Sequence, residues 1–237
     1  MSGTSNHSCR LMLAIAVGVL CVPALAAQVF EYPVRHRHLL KDCRGTLRIS
    51  EEGVEYKTVR ARDGRKWKFD EIQTIELNSP TRVSVVTYED QKRFAGKDRV
   101  FEFELLKDKT TPRLSTFLLQ HVKRPMVLAV LPEGANPDYQ LRVKHLHTIS
   151  GATGVLSIFP DRLVFVSSRE GDSRYWRLAD IERFSRPDRY RLQIVSHVPK
   201  AGGPTEVYNF QLLDDLPEGL YDYLWVRLHP SSYYPAK

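Results

Sequence analysis

The sequence predicts a mainly β chain in α+β order: two tandem domains, each a curled antiparallel sheet or small barrel of about six or seven strands capped by one C-terminal helix. Three observations point there. The chain repeats itself, with Val34-Arg35-His36-Arg37-His38 returning as Val143-Lys144-His145-Leu146-His147, an offset of 109 residues. Within each copy, apolar and polar residues alternate through several short runs, the signature of half-buried strands. Near the end of each copy the apolar spacing changes from two to the helical three and four.

The offset carries the duplication well beyond the histidines. Gly45, Leu47 and Ile49 fall on Gly154, Leu156 and Ile158, and Arg60, Asp63, Arg65, Trp67 and Ile72 fall on Arg169, Asp172, Arg174, Trp176 and Ile181. A period of domain length means a duplicated domain, because solenoid repeats run about 20–50 residues.

Each element follows from local pattern. Thr46–Ile49 and Val54–Tyr56 alternate on either side of Glu51-Glu52-Gly53, which predicts a hairpin with one buried face. After the polar loop Arg60–Arg65, Trp67 and Phe69 point the same way, and Ile72, Ile75 and Leu77 continue strand-like material. The β-branched run Arg82–Tyr88 and the alternating run Val100–Leu105 predict two more strands. Thr111-Pro112 then supplies a helix N-cap with proline at the first helical position. Leu114, Phe117, Leu118 and Val122 form one apolar stripe behind it. Copy two ends alike, with the strand Val207–Leu212, Asp215 as the expected N-cap, and the stripe Leu220, Tyr223, Leu224 and Leu228. By Phe103 and Phe210 the offset is 107, so two residues are missing from the loop before the last strand.

The N-terminus reads as a leader. Leu11–Val22 is apolar, Arg10 precedes it, Pro23 breaks it, and Ala24-Leu25-Ala26 offers a cleavage site, the order of a secretory signal. The run is short for a bilayer span, so the mature chain is expected to lack a transmembrane segment and to be secreted or periplasmic. A retained leader would instead anchor the chain in the membrane. The expected organisation is a signal peptide at 1–27, a first domain at 28–124, a linker or interface strand at 125–137, and a second domain at 138–237. The apolar stretch Met126–Leu131 is long for a free linker and is expected to pack as an extra strand or at the domain interface. Of three cysteines, Cys9 and Cys21 leave with the leader, so Cys43 can make no internal disulfide and each domain must stand on its apolar core.

The full chain carries a net charge of +7, but its charges are interspersed. With no dense basic stripe and a secretory leader, nucleic-acid binding is excluded. The sequence also lacks Gly-x-Ser-x-Gly, a P-loop, a dinucleotide fingerprint and His-Glu-x-x-His, so no cofactor is expected and the chain is read as non-catalytic.

The Gly-x-Leu-x-Ile strand, Trp67-x-Phe69-x-x-Ile72 with its counterpart Trp176-x-Leu178-x-x-Ile181, and the terminal Phe-x-Leu strand and helix together resemble the pleckstrin-homology-like fold. More narrowly they resemble bacterial PH and GRAM-like domains, and the chain also looks like secreted bacterial proteins with the same His-x-His and Gly-x-Leu pattern. The resemblance implies a fold. It also raises phosphoinositide binding, which is usually placed at a basic first hairpin loop. Here that turn is Ser50-Glu51-Glu52-Gly53 in copy one and Phe159-Pro160-Asp161 in copy two, so the basic motif is absent.

The sharpest candidates for chemistry are His36, His38, His145 and His147. Residues two apart on a strand face one side, and adjacent imidazoles are a familiar metal-ligand arrangement. If the two opening strands came together, four imidazoles would meet. Cys43 is a possible third ligand in copy one, but its counterpart is Ala152. Trp67 and Trp176 are expected in the core. Asp63 with Arg65, and Asp172 with Arg174, are expected to be salt-bridged pairs that fix their loop.

The leading functional expectation is therefore a non-catalytic extracytoplasmic binding or scaffolding module. Its expected partner is another extracytoplasmic protein or the cell-envelope surface, with an exposed strand edge as the place of attachment. The alternatives are divalent-metal binding through the His-x-His pairs and peripheral attachment to anionic lipid.

Overall fold

The computed structural model describes residues 28–37, 42–91, 94–134, 136–199 and 205–230. The expected leader and His38 lie outside the described residues.

Two sheets hold the strands of the described residues. In the first domain come β1 (Phe30–His36), β2 (Cys43–Ser50), β3 (Gly53–Thr58), β4 (Arg65–Trp67), β5 (Ile72–Ser79), β6 (Arg82–Gln91) and β7 (Phe94–Leu105). These are followed by α1 (Pro112–His121) and the short β8 (Val127–Leu128). The second domain has β9 (Tyr139–Leu146), β10 (Gly151–Ile158), β11 (Arg162–Ser167), β12 (Arg174–Arg177), β13 (Ile181–Asp188), β14 (Arg191–Pro199), β15 (Thr205–Leu212) and α2 (Leu220–Leu228). The strand orders are β4-β3-β2-β1-β7-β6-β5-β8 and β12-β11-β10-β9-β15-β14-β13. Without β8 they are the same order, so the duplication in sequence is a duplication of topology.

Both sheets curl without closing. On a flat sheet β4 and β7, four strands apart, would be separated by about 19 Å at the usual strand spacing. The ring of Trp67 on β4 lies 4.6 Å from that of Phe101 on β7. In the second domain Trp176 on β12 lies 4.9 Å from Tyr208 on β15, again across four strands. Each tryptophan draws an edge strand over the core. Both are buried, at 3% and 2% exposure.

The glycine shared by both copies has a steric cause. A side chain at Gly45 would meet the Lys57 carbonyl oxygen at 2.1 Å, and one at Gly154 would meet that of Val166 at 2.2 Å. The rings of Tyr56 and Phe165 lie over these glycines, which fills the space on the inner face.

The helices cap the open side of each sheet. Thr111 caps α1, its hydroxyl accepting from the Leu114 backbone N–H at 3.3 Å, and Leu114, Phe117 and Leu118 are buried. In the second domain the expected cap is corrected: α2 begins at Leu220, and Gly219 in a left-handed conformation, not Asp215, precedes it. The stripe survives the shift, with Leu220 and Leu224 buried, because core packing rather than a cap side chain sets this helix. No helix among the described residues is long and apolar enough to cross a membrane.

The connecting segment adds a short strand to the first sheet. Val127 and Leu128 form β8, which pairs parallel with β5, and the Thr74 hydroxyl donates to the Pro125 carbonyl at 2.8 Å. The second domain packs on this edge. Arg177, held by Asp180 at 2.8 Å, donates to the carbonyls of Val122 at 3.1 Å and Arg124 at 2.6 Å. The Val122 carbonyl belongs to the C-cap of α1, so the guanidinium satisfies a helix-end acceptor across the domain boundary.

The same boundary holds a carboxyl under strain. Burial raises the pKa of Glu76, and Glu206 and Glu102 add to it, against the Asn78 hydrogen bond and the charge of Arg174. A raised carboxyl stabilises the fold in its protonated form, so its contribution is full below the ordinary carboxylate range and lost as pH rises through the folded value. Glu76→Gln is therefore expected to raise the melting temperature at neutral pH. The gain should shrink in acid, as calorimetry at pH 4 and pH 7 would record.

Candidate metal centre

β9 ends at Leu146, so His145 lies within the strand and His147 just beyond it. They project to one side, with rings 4.3 Å apart. The strand sets this alternation. His145 is buried against Phe210, Phe165 and Tyr208, at 4.9, 5.7 and 5.7 Å between ring centres. His147 is about one-third exposed, so the pair has a dry side and a wet side.

A third ligand type arrives from the loop between β11 and β12. One oxygen of Asp172 lies 2.9 Å from His145 Nδ1 and 3.2 Å from His147 Nε2. These three residues form the group of metal-ligating side chains that meets within 4.8 Å among the described residues. In a tetrahedral zinc centre, neighbouring nitrogen and oxygen ligands are about 3.3 Å apart, as follows from bond lengths near 2.0–2.1 Å. The two nitrogen-to-oxygen distances are already close to that spacing.

The carboxylate is held on its other side as well. Ser167 donates its hydroxyl to Asp172 Oδ2 at 3.2 Å, an outer contact of the kind that orients metal ligands. Burial alone would raise the Asp172 pKa. The hydrogen bond and charge of His145, with the nearby His147, outweigh it and bring the pKa below the usual value. Three protein ligands leave a coordination position open, and His147 gives it access to solvent.

The loop itself is built to present the aspartate. Arg174 donates to the carbonyls of Gly171 and Ser173 at 2.7 and 2.8 Å, and Arg65 donates likewise to Arg62 and Gly64 at 3.0 and 2.7 Å. The expected Asp–Arg salt bridges are thus corrected. Each arginine clasps loop carbonyls, and in the second domain this leaves Asp172 for the histidines. Gly171 has φ +80°, and a side chain there would meet the Asn78 carbonyl oxygen of the first domain at 2.9 Å. Its counterpart in copy one is Arg62, so this glycine answers to domain packing and not to the repeat.

The four sequence candidates therefore separate. His145 and His147 come together with Asp172. His36 is buried in the first domain against Phe103, Tyr56 and Phe101, and His38 lies outside the described residues. Asp172 was not among the candidate ligands. The signal for it was present, because Asp63 and Asp172 recur at the same offset as the histidines.

No family model matches the chain, and no curated protein matches it. Among solved structures, the chain is similar to one from "Structure of the Spt16D Pob3N heterodimer", with a TM-score of 0.31 and 11% identity over 71% of this chain and 82% of that one.

Proposed function

We propose that the protein is a non-catalytic extracytoplasmic binding module whose second domain holds a divalent cation through His145, His147 and Asp172. The supporting observation is the convergence of two imidazole nitrogens and one ionised carboxylate at ligand spacing, with Ser167 steadying the carboxylate. Nitrogen and oxygen donors in this number suit zinc and its first-row neighbours. The open position would take water or a ligand atom from whatever the module binds.

The strand edges favour this reading over attachment of an extended peptide. β4 is three residues long. β13 has register shifts in its pairing and carries exposed Glu182, Arg183, Arg186 and Asp188 around Pro187. Short, bulged and charged edges oppose strand addition.

Thermal unfolding with and without zinc tests the proposal. A cation that binds the native state alone stabilises it by about 4 kcal/mol at 1,000 times its Kd. Zinc is expected to raise the melting temperature of the wild type by more than that of Asp172→Asn or His147→Ala. An unchanged wild-type midpoint, or an increase as large in both variants as in the wild type, would reject the site.

A further inference from the structure

We propose that the first domain carries a second divalent-cation site, formed by His36, Cys43 and Asp63, with softer donors than the first. This inference rests on the cation-binding reading of His145, His147 and Asp172.

The seat of the buried histidine is the same in both domains. The His36 ring lies 5.0 Å from Phe103 at an interplanar angle of 32°, and His145 lies 4.9 Å from Phe210 at 30°. His36 meets Tyr56 at 5.2 Å and 70°, and His145 meets Phe165 at 5.7 Å and 77°. The third neighbours, Phe101 and Tyr208, are at 5.8 Å with 32° and 5.7 Å with 38°. An imidazole has been kept in one pose on two independent cores.

The aspartate loop is also the same. The Asp63 backbone N–H donates to the Arg60 carbonyl at 2.8 Å, as that of Asp172 does to Arg169 at 3.3 Å, and the arginine clasp is common to both. Asp63 is more open than Asp172, with 27% of its side chain exposed against 5%.

What differs is the residue across from the histidine. His36 pairs with Cys43 between β1 and β2, while His145 pairs with Ala152 between β9 and β10. Cross-strand partners place their Cβ atoms about 4.5–5.5 Å apart on one face, so Cys43 and His36 share a face of the sheet. Tyr56 lies close to Cys43, its hydroxyl donating to the Cys43 carbonyl at 3.4 Å. Burial raises its pKa, a hydrogen bond with Thr58 opposes this, and Cys43 and Asp63 both add to it. His38, the sequence counterpart of His147, lies outside the described residues and is not counted as a ligand.

Among the described residues, three ligand atoms lie within 4.8 Å of one another only in the second domain. The first-domain site must therefore close by side-chain rotation, which lowers its apparent affinity by the fraction of closed conformers. Thiolate, imidazole and carboxylate together suit zinc or cobalt(II). Binding releases the thiol proton to solvent.

Cobalt(II) titration of the purified, reduced protein, followed by visible and near-ultraviolet absorption, tests this. Two equivalents are expected. The weaker should bring a thiolate-to-cobalt charge-transfer band that is lost in Cys43→Ser, and Asp63→Asn should weaken it at least tenfold. Asp172→Asn should remove the tighter equivalent and leave the band. One equivalent, lost in Asp172→Asn and unchanged in Cys43→Ser, would overturn the second site and leave the first standing. A band that depends on Cys43, together with cobalt binding insensitive to Asp172→Asn, would reject the first site and keep the second. No cobalt binding would reject both. Circular dichroism of Cys43→Ser, the least disruptive of these variants, confirms that the loss is not unfolding.

Discussion

Trp176→Ala is expected to destabilise the second domain by about 3–5 kcal/mol, the usual cost of truncating a buried tryptophan. The ring is 2% exposed and packs on Tyr208 and Phe210 from the far side of the curl. Without it, the short β12 loses the contact that draws it over the core. The damage should extend to the neighbouring domain boundary, because Arg177 on the same strand donates to the carbonyls after α1. Trp67→Ala is expected to cost the first domain a similar amount, since Trp67 fills the same slot against Phe101. Urea unfolding followed by far-ultraviolet circular dichroism measures both. A change below about 1 kcal/mol in either variant would mean that the edge strands are held by their ladders alone.

Asp172→Ala has the second large effect, and it acts in two ways. Asp172 accepts from His145 and from Ser167. Its removal leaves the buried His145 and the half-buried Ser167 without that acceptor, at a cost on the order of 3 kcal/mol. It also removes the second domain's share of the response to zinc. The carboxyl has a lowered pKa, so its stabilisation is full above the ordinary aspartate value of about 3.9 and is lost as pH falls through the folded value. Wild-type stability is expected to fall on acidification below pH 4, and Asp172→Asn should flatten that part of the curve. Calorimetry from pH 2 to pH 7 would show it. A variant curve parallel to wild type throughout would mean that the carboxylate contributes nothing ionic to the fold.

These two residues also mark how far the sequence could be read. Trp176 was legible as core because periodicity and repetition agreed, and a large aromatic on an alternating strand has one economical place to go. The α1 boundary was legible because Thr111-Pro112 carries its own cap chemistry. The start of α2 was not, because Gly219 works through backbone conformation and no cap side chain announces it. Asp172 was misread for a different reason. It lies two residues from Arg174, and nearness along the chain suggested an ion pair. The arginine took carbonyls of its own loop, and the aspartate turned to histidines about 25 residues away in sequence.

The sequence by itself determined the duplication, the alternating strands, the helix that follows them and the same-sided projection of His145 and His147. Each of these depends on local periodicity or on comparison of one half with the other. Tertiary structure alone decided that a loop aspartate completes the histidine pair, that β8 joins the first sheet, and that Gly171 is required where the loop presses on Asn78. Those outcomes depend on which distant segments the curl of each sheet brings together. That curl is a property of the packed core, in which Trp67 and Trp176 each span four strands.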